Sequence, residues 1–168
     1  MKITFKDGTS QDIEKGLTVG AAMKACGLPV GTDVLAAKVN GVVVDLSRPL
    51  TEDAVVEPVR FDTAEGREVY RHSSTHIMAQ AVKEVFPTAQ VTIGPALEDS
   101  FFYDFAFERP FTPEDLEKIE ARARDIIKRN LPVTRKELTK QEAIQFFQSR
   151  GEAYKVELIQ GFPDHEPI

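Results

Sequence analysis

Hydrophobic and polar positions alternate in short runs along residues 1–61, and this alternation predicts β-strands. Ile3 and Phe5 are apolar and their neighbours are polar, as on a half-buried strand. Asp7-Gly8 and Asn40-Gly41 are pairs that favour tight hairpin turns. Thr18 predicts the N-cap of a short helix that ends at Gly27. The predicted strands cover residues 1–6, 9–13, 35–39, 42–46 and 55–59.

The order of these elements is a hairpin, a helix and further strands, which is the order of a ubiquitin-like β-grasp domain. After Phe61 the pattern changes to longer helical periods and an aromatic run. Thr112 and Thr139 each begin a helix by capping. The elements predicted here are a helix over 63–86, a helix from Thr112 with an apolar stripe through Ile127, helices over 139–151 and 154–160, and strands over 91–93, 101–107 and 131–138. We therefore predict an α+β protein with one domain over residues 1–61 and a mixed α/β domain over residues 62–168.

His72 and His76 lie one turn apart in the first of these helices. On a helical wheel they share a face, whereas Met78, Val82 and Val85 lie on the opposite side. Imidazoles bind metals or move protons near neutral pH, so the pair indicates a site. Two surface histidines can also share a helix face by chance.

A metal at this pair would need further ligands, because zinc sites use three or four protein side chains. The zinc-protease pattern has a glutamate after its first histidine, and this chain has Ser73 there. The sequence therefore argues against a metalloprotease and leaves His72 and His76 only as possible metal ligands.

Composition reduces the number of possible functions further. The net charge of −6 disfavours nonspecific binding to a polyanion. The single cysteine, Cys26, excludes an internal disulfide, suits a reducing cytoplasm and is expected to be a buried structural thiol. We find neither a signal peptide nor a membrane-spanning run in the 168 residues, so we expect a cytoplasmic protein without membrane association.

Residues 1–61 resemble the TGS domain, a β-grasp module of threonyl-tRNA synthetases, some GTPases and stringent-response enzymes. The following region carries more specific motifs. They are His72-Ser73-Ser74-Thr75-His76, Ile93-Gly94-Pro95, Phe101-Phe102-Tyr103-Asp104-Phe105, Pro110-Phe111-Thr112-Pro113-Glu114-Asp115-Leu116 and Tyr154-Lys155-Val156-Glu157-Leu158-Ile159. In order and spacing these motifs resemble the N-terminal editing region of bacterial threonyl-tRNA synthetases.

The resemblance implies proofreading. The whole enzyme joins threonine to tRNA(Thr) with ATP, and a separate site hydrolyses serine from mischarged tRNA(Thr). For this chain the resemblance implies that His72, His76 and Lys155 are catalytic and that Tyr103 binds substrate. It implies the 3′ end of tRNA(Thr) as partner and a homodimeric parent enzyme. It assigns no cofactor to this chain, because zinc and ATP with Mg belong to the catalytic core.

The chain departs from the family pattern in three places. Phe102 replaces a tyrosine, and Ser100 stands where glycine is common. A Cys-x-x-x-His pair completes the editing pocket in the family, and the chain ends at Ile168 before it. We therefore expect an N-terminal fragment whose editing domain is incomplete at its C-terminus and which does not aminoacylate tRNA alone.

Two alternatives remain open. One is a non-enzymatic module in which the TGS-type domain binds RNA or protein and the rest is scaffold. The other is a metal-dependent hydrolase built on His72 and His76.

Overall fold

The computed structural model describes residues 1–95, 97 and 99–168, and the chain divides into two compact units, Met1–Arg71 and His72–Ile168. The strands and the short helix of the first unit follow one another in the order that the sequence predicts. They are β1 (Lys2–Phe5), β2 (Ser10–Asp12), α1 (Val19–Ala25), β3 (Val34–Val39), β4 (Val42–Val44) and β5 (Ala54–Arg60).

The five strands form one sheet in the order β2-β1-β5-β3-β4. Strands β1 and β5 are parallel, and the other neighbours are antiparallel. Ile3, Val56 and Met23 lie fully buried in one core that joins the sheet to α1. This arrangement of a helix against a mixed sheet is the predicted β-grasp.

Local sequence explains the turns and the helix start of this unit. Asn40 and Gly41 both adopt positive φ, 51° and 84°, as the tight turn between β3 and β4 requires. The Thr18 side chain accepts a hydrogen bond from the Ala21 amide at 3.2 Å and caps α1. Cys26 follows α1 and is half-buried, and this burial raises the pKa of its thiol.

A long helix, α2 (Ala64–Val85), begins in the first unit and continues into the second. The second unit adds two short strands and three helices. They are β6 (Gln90–Val91), β7 (Phe105–Ala106), α3 (Pro113–Arg129), α4 (Lys140–Gln148) and α5 (Ala153–Gln160). The mixed α/β composition confirms the predicted fold class, whereas the domain boundary at Phe61 stays a prediction.

The core of the second unit lies between α2, α3 and the aromatic segment. Val82, Ile119 and Ile126 are buried there, and Phe105 and Phe111 pack against them. Two capping boxes begin α3 and α4, as predicted. Thr112 pairs with Asp115, and Thr139 pairs with Glu142.

Two predicted strands differ from the structure. Residues 131–138 form neither strand nor helix, and Val133 is 88% exposed. The predicted aromatic strand contracts to β7, which pairs with the equally short β6. Among the residues that the structure describes, no helix is long and apolar enough to cross a membrane.

Candidate functional site

Helix α2 places His72 and His76 in direct contact. Their Nε2 atoms are 3.0 Å apart, and the rings meet edge to face with centroids 4.8 Å apart. A hydrogen bond between two imidazoles needs one N–H and one lone pair. The acceptor ring must therefore be neutral, and the two histidines cannot both carry a positive charge while this bond exists.

The buried residues of α2 show that its histidine face points away from the core. Ala81 and Val82 are buried in the core on the other side. Thr75, which lies between the two histidines in the sequence, is buried. Its hydroxyl donates a hydrogen bond to the His72 carbonyl at 2.7 Å. This bond satisfies the only polar group of the Thr75 side chain. The hydroxyl is therefore buried beside the two histidines without being left unpaired.

Burial lowers the pKa of His76. Its pKa lies below the ordinary imidazole value of 6.5, chiefly because neighbouring protein atoms displace water from the ring. The charges of His72 and Lys155 lower this pKa further. A neutral His76 has one lone pair, which stays free on Nδ1 to accept a proton when its Nε2–H donates to His72.

Lys155 lies on α5. Its positive charge contributes to the lowered pKa of His76. The Nζ atom lies 5.8 Å from the centroid of the Phe147 ring, which α4 supplies. Helix α4 thus supports the ammonium group whose charge acts on His76.

Tyr103 is half-buried on the segment before β7, and its ring stacks on Phe105 with centroids 5.0 Å apart. Gly94 lies against the Tyr103 ring so closely that a Cβ atom there would overlap it. Burial raises the pKa of the Tyr103 phenol, and the negative charge of Glu152 raises it further. The phenol is therefore protonated at neutral pH and can donate a hydrogen bond.

The structure thus places His72 and His76 in contact, and the charges of Lys155 and Glu152 act on His76 and Tyr103 respectively. Glu152 directly precedes α5, which carries Lys155. Sequence reasoning missed Glu152 and its ion-pair partner Lys83. Lys83 lies two turns after His76 and Glu152 one turn before Lys155, but nothing in this spacing marks the contact between Lys83 and Glu152. The catalytic and binding roles of the four predicted residues stay predictions.

The donor set at this place does not suit a structural metal. Over residues 1–95, 97 and 99–168, no group of three or more His, Cys, Asp or Glu side chains could hold an ion. Two imidazoles alone fall short of the three or four ligands of zinc sites, and the nearby Lys155 ammonium repels a cation.

Comparison with known proteins shows which sequences this chain resembles. Residues 1–59 match the TGS domain family. The chain is 48% identical over 166 residues to a threonine–tRNA ligase of Symbiobacterium thermophilum, covering 99% of the chain and 26% of the relative. It is 46% identical to that of Desulforamulus reducens and 45% identical to that of Acetivibrio thermocellus, covering 100% of the chain and 26% of each relative. The chain thus spans about a quarter of the length of these relatives.

Proposed function

Because the whole chain corresponds to the N-terminal region of bacterial threonine–tRNA ligases, we propose that it contributes to the hydrolysis of serine from mischarged tRNA(Thr). The observation that carries this proposal is the 3.0 Å contact between the Nε2 atoms of His72 and His76, and the lowered pKa of His76, to which the Lys155 charge contributes, supports it. A neutral base next to a fixed cation is the arrangement that ester hydrolysis needs.

The reaction cleaves the ester between the seryl carbonyl carbon and a ribose oxygen at the 3′ end of the tRNA. His76 accepts a proton from a water molecule as the water oxygen attacks the carbonyl carbon. The carbonyl oxygen then becomes negatively charged, and the Lys155 ammonium stabilises it. When the bond to the ribose breaks, the proton on His76 passes to the ribose oxygen, and serine and free tRNA leave.

The other two residues prepare this step. As the base, His76 donates its Nε2–H to His72; this hydrogen bond orients the His76 ring and leaves the lone pair on Nδ1 free. The protonated phenol of Tyr103 donates to a polar group of the bound serine or ribose. Lys155 acts twice, because its charge also lowers the pKa of His76 and so increases the fraction of free base.

The need for such a site follows from the difference between the two amino acids. Serine lacks one methyl group of threonine, and one methyl in a pocket is worth about 1–3 kcal/mol. An aminoacylation site alone therefore charges some serine by mistake, and hydrolysis at a second site removes it.

The wider roles belong to the same proposal. The protein that contains this region charges tRNA(Thr) with threonine in the cytoplasm as a homodimer. The ATP, Mg and zinc of that reaction belong to parts of the relatives beyond the quarter matched here. Within the chain, residues 1–61 form the TGS domain and residues 62–168 the first part of the editing domain.

The test measures serine release from Ser-tRNA(Thr) by this chain, with Thr-tRNA(Thr) as the competing substrate. We expect selective release of serine, lost in His76→Ala and retained in His165→Ala. His165 is the matched control because it is exposed and lies outside the site. Equal release from both substrates, no release, or release that survives His76→Ala would contradict the proposal.

The same preparation distinguishes the TGS-type binding module. That module would bind tRNA through residues 1–61, and His72→Ala and His76→Ala would leave binding and all other behaviour unchanged. A chain that binds tRNA(Thr) but releases no serine would favour this reading.

A further inference from the structure

Lys83 and Glu152 form an ion pair inside the second unit, outside the residues used in the hydrolysis above. The Lys83 Nζ lies 3.4 Å from Oε1 of Glu152, and the side chains are 28% and 13% exposed. Lys83 also donates to the Pro87 carbonyl at 3.4 Å. The pair is thus largely shielded from water.

Glu152 occupies the N-cap position of α5 but does not cap the helix with its side chain. Its carboxylate turns to Lys83 instead, and Oε2 is shielded from solvent with no hydrogen-bond partner among the described residues. A carboxylate in this setting contributes little to stability, because its loss of water is only partly offset. Its position therefore calls for another explanation.

The explanation lies in the spacing of the residues. Lys83 follows His76 by two turns on the same face of α2, and Glu152 precedes Lys155 by one turn at the start of α5. The Lys83–Glu152 ion pair therefore joins α2, two turns after His76, to the start of α5, one turn before Lys155. Movement of Glu152 away from Lys83 would carry Lys155 with it.

We propose that Glu152 is a positioning residue: by pairing with Lys83 it fixes the start of α5 and so holds Lys155 beside His76. The consequence for catalysis rests on the proposed hydrolysis, whereas the positioning itself can be measured without any substrate. Phe147 supports the Lys155 ammonium from α4, so the cation is held at both its backbone and its charged end.

If Glu152 positions Lys155, its removal shifts the pKa of His76 in one direction; if only the charge of Glu152 acts, the shift has the opposite sign. The charged groups that act on the His76 imidazole are His72 on its own helix and Lys155 from α5. Removing a negative charge nearby would lower the pKa of His76 if only direct electrostatics acted. Displacing Lys155 would raise this pKa, because a positive charge moves away.

The experiment is an NMR pH titration of His76 in the whole chain. Lys155→Met gives the full rise expected when the cation is removed. Glu152→Gln removes the negative charge, and Glu152→Asp keeps the charge but shortens the side chain by one methylene. Glu157→Gln is the matched control, since Glu157 is exposed on the same helix.

We expect Glu152→Gln and Glu152→Asp to raise the His76 pKa by more than half of the rise in Lys155→Met. In the Lys155→Met background neither change should have a further effect, and Glu157→Gln should have none. If Lys155→Met raises the pKa but the Glu152 variants leave it unchanged or lower it, positioning is overturned while the hydrolysis proposal stands. If Lys155→Met itself changes nothing, positioning is overturned as well.

Discussion

The two units bury their side chains differently. In the first, Ile3, Val19, Met23 and Val56 are fully buried around one sheet. In the second, the largest fully buried side chains are Val82 and a threonine, Thr75, whose hydroxyl bonds the carbonyl of His72. The first unit thus relies on a continuous apolar core, whereas the second uses part of its interior for polar contacts that hold the candidate site.

Both units expose large apolar side chains, among them Val42 and Phe61 in the first unit. Several large apolar side chains of the second unit are exposed, and they lie on helices and on irregular segments. Among the described residues they include Leu116, Ile127, Leu131, Val133 and Leu158. Stability in the first unit should therefore depend on core volume, and stability in the second on individual polar pairs.

The largest effect is expected in the apolar core of the first unit. Met23→Ala removes a fully buried side chain and should lower the free energy of unfolding of that unit by about 2–5 kcal/mol. Lys24→Ala, next to it on the exposed side of α1, should change it little. Chemical denaturation followed by circular dichroism measures both variants. Equal losses would contradict the contrast between buried and exposed positions.

In the second unit we expect a large effect on stability from one ion pair, Arg109 with Asp115. Asp115 accepts hydrogen bonds from Arg109 Nη1 at 2.5 Å and Nη2 at 3.3 Å and from the Thr112 amide at 3.0 Å. These bonds, led by Arg109, hold the pKa of Asp115 well below its ordinary value of 3.8. Asp115→Asn should therefore destabilise α3 at neutral pH.

The way in which the stability contributed by Asp115 changes with pH has a definite sign. A carboxyl whose pKa is lowered on folding contributes stability above its unfolded value, and loses it as pH falls below that value. The stability difference between the natural chain and Asp115→Asn should therefore shrink once the pH drops below 3.8, the ordinary aspartate value. Thermal unfolding across this range measures it, and a difference independent of pH would count against the ion pair.

A smaller, local effect is expected at Tyr103. Gly94→Ala places a methyl group where the Tyr103 ring lies, so the ring must move outward. Its burial then decreases, and the raised pKa of the phenol should fall towards 10.0. Ultraviolet titration measures this, with Tyr103→Phe to identify the signal. Ile93→Ala is the control because Ile93 is exposed, and an unchanged phenol in Gly94→Ala would refute the contact.

The smallest expected effect compares one helix cap from each unit. Thr18 caps α1, and Thr139 caps α4. Replacing either threonine by alanine should cost about 1 kcal/mol, because one amide at the helix start loses its partner. Hydrogen exchange at the first turn of each helix measures the local cost. A cost at Thr18 but none at Thr139 would show that the structure of α4 does not depend on its capping box.

The elements of the first unit were predictable because each follows from local chemistry. Alternating side chains, the Asn40-Gly41 turn and the Thr18 cap all act over a few residues. The strand predicted over residues 131–138 was wrong, because a strand also needs a neighbour. Of this segment, only Leu138 exchanges backbone hydrogen bonds with a distant residue, Ile168, both at 2.9 Å.

The site was predictable only in part for a similar reason. Helical spacing alone places His72 beside His76, since both lie on one helix. Spacing cannot place Lys155 or Tyr103, which lie on other elements, and only the family resemblance identified them. Glu152 escaped because its role depends on contact with Lys83, 69 positions earlier in the chain, and no local pattern marks that contact.

The most direct test of the account is the pH profile of serine release from Ser-tRNA(Thr) in the natural chain and in Lys155→Met. Release should increase with pH as His76 loses its proton, with a midpoint below 6.5, and Lys155→Met should move this midpoint to higher pH. A midpoint that does not move in Lys155→Met, or release without pH dependence in this range, would contradict the claim that Lys155 lowers the pKa of a catalytic His76.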